Sequence, residues 1–477
     1  MKERRPDCII SIIFLIIALV AQFYESDKYL FIVAVIMCLS NVLLNIKNFA
    51  NKAVYVSFFA LIFLFLLSRD VVSLITEGSL TLSFSHEINK TAIFCIILSM
   101  AFLSIGSFCS ERIKVKFNSS TYNSSLLHKT ESELYKLQVD RIKIASRVIM
   151  YISFLAALAV SIEQAIYVSA LSYYDLYLTY ASNLPGFIVK IGDMYPIAFF
   201  CFLACLPKKE ECRIPIFLYA LIGVVTLGTG QRNQMMIHFI IIVIYLMYRQ
   251  SKSNNAEIWL PKRYVFAIVV SIPFVISFLF FWGNYRIGNR VSGLKYSDIL
   301  VNFLSGQGKS IDIIGYTMVY NIPKWKLYSF GDIIDYFINS YISKYILGIQ
   351  TYKQYTPEYA LNMHSFGQYI TYVVAPTKYL SGGGIGSSYI AEAFVDFGYL
   401  GIVLWSFAYG VILTKLSKFK QYSWIQLTFL LFAISKILMA PRTSASGFIA
   451  STFSFINLAT ILIIYLASKT KIGKIGQ

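Results

Sequence analysis

The chain has 477 residues, of which 57% are apolar and only 14% charged. Its mean hydropathy is +0.63. Apolar blocks this long exclude a soluble globular protein and predict an all-α polytopic membrane protein. The net charge of +18 suggests a nucleic-acid partner, but the basic residues fall in short loops between apolar runs, as membrane orientation requires, so that class is excluded too.

Runs long enough to cross a bilayer predict about twelve spans, centred on Ile16, Ala34, Ile62, Leu98, Leu155, Phe200, Leu221, Ile242, Val269, Leu404, Leu430 and Thr460. The first follows Met-Lys-Glu-Arg-Arg-Pro and has no small-residue cleavage site after it, so it reads as a retained helix. Every second loop is basic: Lys47 and Lys52, the segment 110–146, Lys208 and Arg213, Lys262 and Arg263, Lys415 and Lys420. Both termini are therefore expected in the cytoplasm. The predicted organisation is a membrane bundle over 1–282 with a cytoplasmic linker at 110–146, a long outer loop over 283–388, and three last spans with a tail over 389–477.

The outer loop is not a polar linker. It is rich in Tyr, Ile and Phe, and amphipathic stretches such as Asp332 to Leu347 predict short helices at the outer mouth of the bundle. Glu163 to Asp193 reads either as a second substrate loop, its tyrosine run of Tyr173, Tyr174, Tyr177 and Tyr180 suiting sugar contact, or as only a long outer connection. The seven cysteines show neither disulfide nor metal-ligand spacing.

Candidate functional residues gather on the outer side. LSGGGIGSSYIAEAFVDFGYLG, residues 380–401, runs from a glycine turn into a span carrying Glu392 and Asp396. Four-residue spacing puts both acids on one helical face. A carboxylate at the membrane edge is costly and marks a functional candidate. Arginines stand beside glycine near span ends: Arg232 in GTGQRNQM, Arg286 and Arg290 in GNYRIGNR, and Arg442 after Pro441. The positive-inside rule disfavours Arg there. Its planar fork suits a diphosphate, although each could also snorkel to lipid headgroups. His364, in LNMHSFGQYI, could serve as a general base. No Walker motif, DxD pair, HExxH or Cys/His cluster is present, so no metal and no cofactor is expected; Asp332 and Asp335 are spaced wrongly for DxD.

GGGIGSSYIAEAFVDFGYLG before a late span, GTGQRNQM in a short outer turn, and LSGQGKSID in a long outer loop resemble the bacterial O-antigen polysaccharide polymerases, the Wzy family. Span number and loop position extend the resemblance over the whole length. It implies a glycosyltransferase of the bacterial inner membrane that joins undecaprenyl-diphosphate-linked oligosaccharide repeat units at the periplasmic face. A hydroxyl of the incoming unit would displace undecaprenyl diphosphate from the growing chain. Partners would be lipid-linked oligosaccharides and membrane lipid, with a polysaccharide chain-length regulator as a further candidate. In this chemistry Arg232, Arg286, Arg290 and Arg442 would stabilise the leaving diphosphate, Glu392 or His364 would act as base, and Tyr316, Tyr320, Trp325 and Tyr328 would suit stacking on sugar rings. An O-antigen ligase shares the architecture and the leaving group. A flippase for the lipid-linked unit would more often show two similar halves and would not need the one-sided loop.

Overall fold

The computed structural model describes residues 6–23, 26–46, 48–81, 83–112, 125–252, 257–285, 293–415 and 423–469. These are helical, with no strand among the described residues. Nine helices among them are long and apolar enough to cross a membrane. They contain nine of the twelve predicted centres. Ile16 lies in a shorter apolar helix, Pro6–Ala21. Leu221 and Ile242 lie in Lys209–Val225 and Arg232–Lys252, which are not among the nine. Lys209–Val225 has 17 residues and opens on Lys209, Glu210 and Glu211, leaving too short an apolar length for the roughly 20 residues a span needs.

The chain forms two compact units. The larger comprises 1–112, 244–417 and 436–450. Its central contact is between His86–Arg112 and Tyr389–Lys415. With no hydrophobic force between helices in lipid, close backbone approach and polar contacts must hold them, and both occur here. A Cβ on Gly106 would strike the carbonyl of Phe407, and one on Gly410 the carbonyl of Leu103. Tyr389 and Ser99 share a short hydrogen bond, Ser406 Oγ donates to Ser99 at 3.1 Å, and Thr414 Oγ1 donates to Ser107 at 2.8 Å. A second buried network, Ser11, Asn41, Tyr55 and Ser104, joins four helices, each step close to 3 Å. Tyr389–Lys415 is itself interrupted at Gly398, whose φ of +58° and ψ of −143° no side chain adopts readily. The eight residues before the break carry Glu392 and Asp396.

The described part of the long loop, 293–388, folds into short helices: Tyr296–Gln307, Ile311–Val319, Gly331–Ile338, Pro357–Asn362 and Phe366–Val374, with shorter turns between. Three charged anchors hold it. Asp312 takes a bidentate pair from Arg69 of the span Asn51–Thr76, at 2.6 and 2.8 Å. Lys326, 1% exposed, points its ammonium at the carbonyls of Ala360, Leu361 and Met363 and so caps Pro357–Asn362. Burial lowers its pKa, against the pull of Asp335. Asp396 accepts from the amides of Tyr328 and Ser329 at 3.0 and 2.7 Å and from the Ser329 hydroxyl at 2.6 Å.

The smaller unit comprises 113–243, 418–435 and 451–477. Its axis is the 46-residue helix Ser125–Ala170, packed by Gly186–Asp193, Tyr195–Ala204 and Phe455–Lys469. Phe199 stacks on Tyr219 at 4.1 Å, and Tyr219 lies 4.2 Å from the His238 ring. The half-buried tyrosine run packs on itself: Tyr173 packs on Tyr174 and Tyr177, while Tyr180, Ser182 and the Asn183 amide all donate to Glu163.

Candidate active site

Within the larger unit, the glycine turn, two loop helices and the turn after Trp424–Arg442 enclose a cavity of about 270 Å³. Gly383, Gly384 and Gly386 form one wall, Gln368 and Thr371 of Phe366–Val374 another, and Arg442 to Ser444 a third; Asp332 and Glu392 supply the acids. Gly386 has a φ of +93°, and its place in the wall leaves no Cβ to fill the space. The Ile385 amide donates to Thr371 Oγ1 at 3.2 Å, which fixes the turn against the loop helix.

Glu392 is 1% exposed. Its Oε1 accepts from Ser387 Oγ at 2.6 Å and its Oε2 from the Ala445 amide at 2.8 Å. One side chain thus ties the glycine turn to the Arg442–Ala445 turn. Such double hydrogen bonding offsets the cost of burying a carboxyl group. Glu392 and Asp396 share the half-helix before Gly398 but engage different partners, Asp396 holding the Tyr328–Ser329 turn instead.

Asp332 opens the helix Gly331–Ile338 and hydrogen-bonds the Ser444 hydroxyl through Oδ2. Burial, together with Asp335 one turn on, raises its pKa above the usual aspartate range, against the Ser444 hydrogen bond. Asp335 is also raised by burial, although His364 opposes this. His364 Nδ1 lies 2.9 Å from Asp335 Oδ1, and its amide donates to the same carboxylate at 3.0 Å. Arg442 Nη1 donates to Gln307 Oε1 at 2.6 Å, and the guanidinium lies 5.4 Å from the Phe65 ring centroid. The Gln368 Oε1 atom is buried with no hydrogen-bond partner among the described residues, so the wall retains an unmet acceptor there.

Of the predicted site residues, Glu392 and Arg442 line this cavity together. His364 does not line it but pairs with Asp335, one turn from Asp332. Arg232 starts the helix Arg232–Lys252 and belongs to the smaller unit. Arg286 and Arg290 lie outside the described residues. Tyr328, expected to stack on sugar, is 1% exposed and packs on Phe366 and Tyr369. It is core because Asp396 draws its backbone inward. Trp325 is exposed. Sequence reasoning missed Asp332, Ser387, Gln368, Thr371 and Ser444. The signal for Asp332 was its acid partner three residues on, within an amphipathic loop helix. Among the described residues no three His, Cys, Asp or Glu side chains gather as metal ligands.

Helices of this length and polarity, with a polar cavity at the start of a spanning helix, define a polytopic integral membrane protein with a buried site. The profile of the family described as O-antigen polysaccharide polymerase Wzy matches residues 8–474, and the chain belongs to that family. No curated protein and no solved structure matches it. Membership makes it an O-antigen repeat-unit polymerase of the bacterial inner membrane, with a glycosyltransferase-like activity.

Proposed function

We propose that the protein joins undecaprenyl-diphosphate-linked repeat units at the periplasmic face and releases undecaprenyl diphosphate, with the chemistry in the cavity at the start of Tyr389–Lys415. The observation that carries this reading is the meeting of Arg442 with the carboxyl groups of Glu392 and Asp332 in one cavity. Glycosyl transfer from a diphosphate needs a cation where the leaving group gains charge and a base where the hydroxyl loses its proton. Arg442 suits the first task and one carboxyl group of the cavity the second, with His364 nearby through Asp335.

In this account the segment 283–388 is periplasmic, both termini are cytoplasmic, and Arg232, Arg286 and Arg290 help to hold the lipid diphosphates. No metal or other cofactor enters the reaction, and a chain-length regulator is a proposed partner. The test is deletion of the gene in its native host, with lipopolysaccharide resolved on a gel. A polymerase predicts a band carrying a single repeat unit, and return of the ladder with the wild-type gene. Loss of the single-repeat band as well, with lipid-linked units accumulating, would instead indicate ligation or flipping.

A further inference from the structure

Glu392 is the acid that the sequence marks most clearly, yet its surroundings leave it little to do as a base. It is buried, and each carboxylate oxygen already accepts a hydrogen bond, from Ser387 and from the Ala445 amide. Taking a proton would weaken one of these oxygens as an acceptor and so loosen one of the two turns that Glu392 joins. Asp332 differs. It lines the same cavity, its Oδ2 is held by Ser444, and its Oδ1 accepts no hydrogen bond among the described residues. The Ser444 bond fixes the carboxylate without using its second oxygen. Gly447 adds to this, since a Cβ there would meet both the Asp332 carboxylate and the Ser444 hydroxyl.

The geometry points to Asp332 as the catalytic base of this site and to Glu392 as a positioning residue that braces the glycine turn against the Arg442 turn. This rests on the polymerase reading above. In the step, Asp332 Oδ1 takes the proton of the acceptor hydroxyl as its oxygen forms a bond to the anomeric carbon. The bond from that carbon to the diphosphate oxygen breaks, and its electron pair leaves with the diphosphate beside Arg442. The proton then passes from Asp332 to solvent, which restores the carboxylate. The charged and titratable groups around Asp332 are Asp335 on its own helix, Glu392 and Tyr409 on the spanning helix, Arg442, and Tyr359, with His364 and Lys326 acting through Asp335.

The test uses the full chain, purified and reconstituted in lipid vesicles, with lipid-linked repeat units extracted from the deletion strain as substrate. Rates are normalised to folded protein, measured by thermal unfolding. Asp332→Asn should lower turnover about 10²–10⁴-fold, the range for loss of a general base, and Asp332→Glu should recover part of it. Glu392→Gln should fold less well but lose less than about tenfold in turnover per folded molecule. Should Asp332→Asn fail to fold, the pH profile of Asp332→Glu takes its place: a displaced acidic limb supports the assignment and an unmoved limb overturns it. Turnover of folded Asp332→Asn within about threefold of wild type would also overturn it. So would a folded Glu392→Gln as inactive as Asp332→Asn. Failure of the wild-type protein to extend the extracted units would instead refute the polymerase reading.

Discussion

Replacing Glu392 by alanine removes one side chain that serves two walls of the cavity. The Ser387 hydroxyl and the Ala445 amide, 2.6 and 2.8 Å from its oxygens, would both lose their acceptor. These three groups are shielded from water, with Glu392 at 1%, Ser387 at 6% and Ala445 at 0% exposure. A buried donor left unmatched costs about 1–3 kcal/mol, so two give about 2–6 kcal/mol, before any gain from relaxation. Glu392→Gln should cost less, because its amide oxygen still accepts from the Ala445 amide, more weakly than a carboxylate, while its NH₂ can donate to the Ser387 hydroxyl. The assay is thermal unfolding of the purified protein in detergent, with limited proteolysis of the Arg442–Ala445 turn alongside. The reasoning predicts a lower midpoint for both variants, alanine below glutamine, and faster cleavage near Arg442. An unchanged midpoint for Glu392→Ala would refute it.

Two further outcomes concern the frame around the site. Gly410→Leu sets a side chain against the Leu103 carbonyl and the Ser107 amide, where overpacking costs about 1–3 kcal/mol or more; the amount of folded protein in the membrane should fall sharply, while Leu404→Ala, on an exposed face of the same helix, should be tolerated. Asp312→Ala leaves the Arg69 guanidinium buried without its bidentate partner, a loss of about 3–5 kcal/mol. Asp312→Asn, which keeps one acceptor for the guanidinium while Asp70 stays 3.6 Å from it, should lose less, as read by the unfolding midpoint.

Hydropathy made the membrane bundle legible because a bilayer demands long apolar stretches whatever their partners. Glu392 and Arg442 were legible for the same reason: a charge among apolar residues and glycines stands out. Asp332 was not. An acid in a loop helix looks like part of a solvated face even with Asp335 beside it, and its bond to Ser444 spans 112 positions of sequence. The spacing of Glu392 and Asp396 suggested one shared task, because helical periodicity places residues on a face without saying what faces them. Tyr328 misled in a similar way, since a loop tyrosine suits sugar stacking until Asp396 is seen to draw its backbone into the core. The glycines at 106 and 410 gave no signal of their own, their meaning lying in the backbone they admit.

The most direct test of the central claim, that this cavity is where repeat units are joined, is an Arg442→Ala complement of the deletion strain. Its lipopolysaccharide would be compared with a wild-type complement at matched protein level in the membrane. Arg442 would stabilise the departing diphosphate, and loss of one preorganised donor costs about 10²–10³-fold in rate. The account therefore predicts a single-repeat band with the ladder absent or strongly reduced. A full ladder from Arg442→Ala would contradict it and move the chemistry elsewhere in the protein.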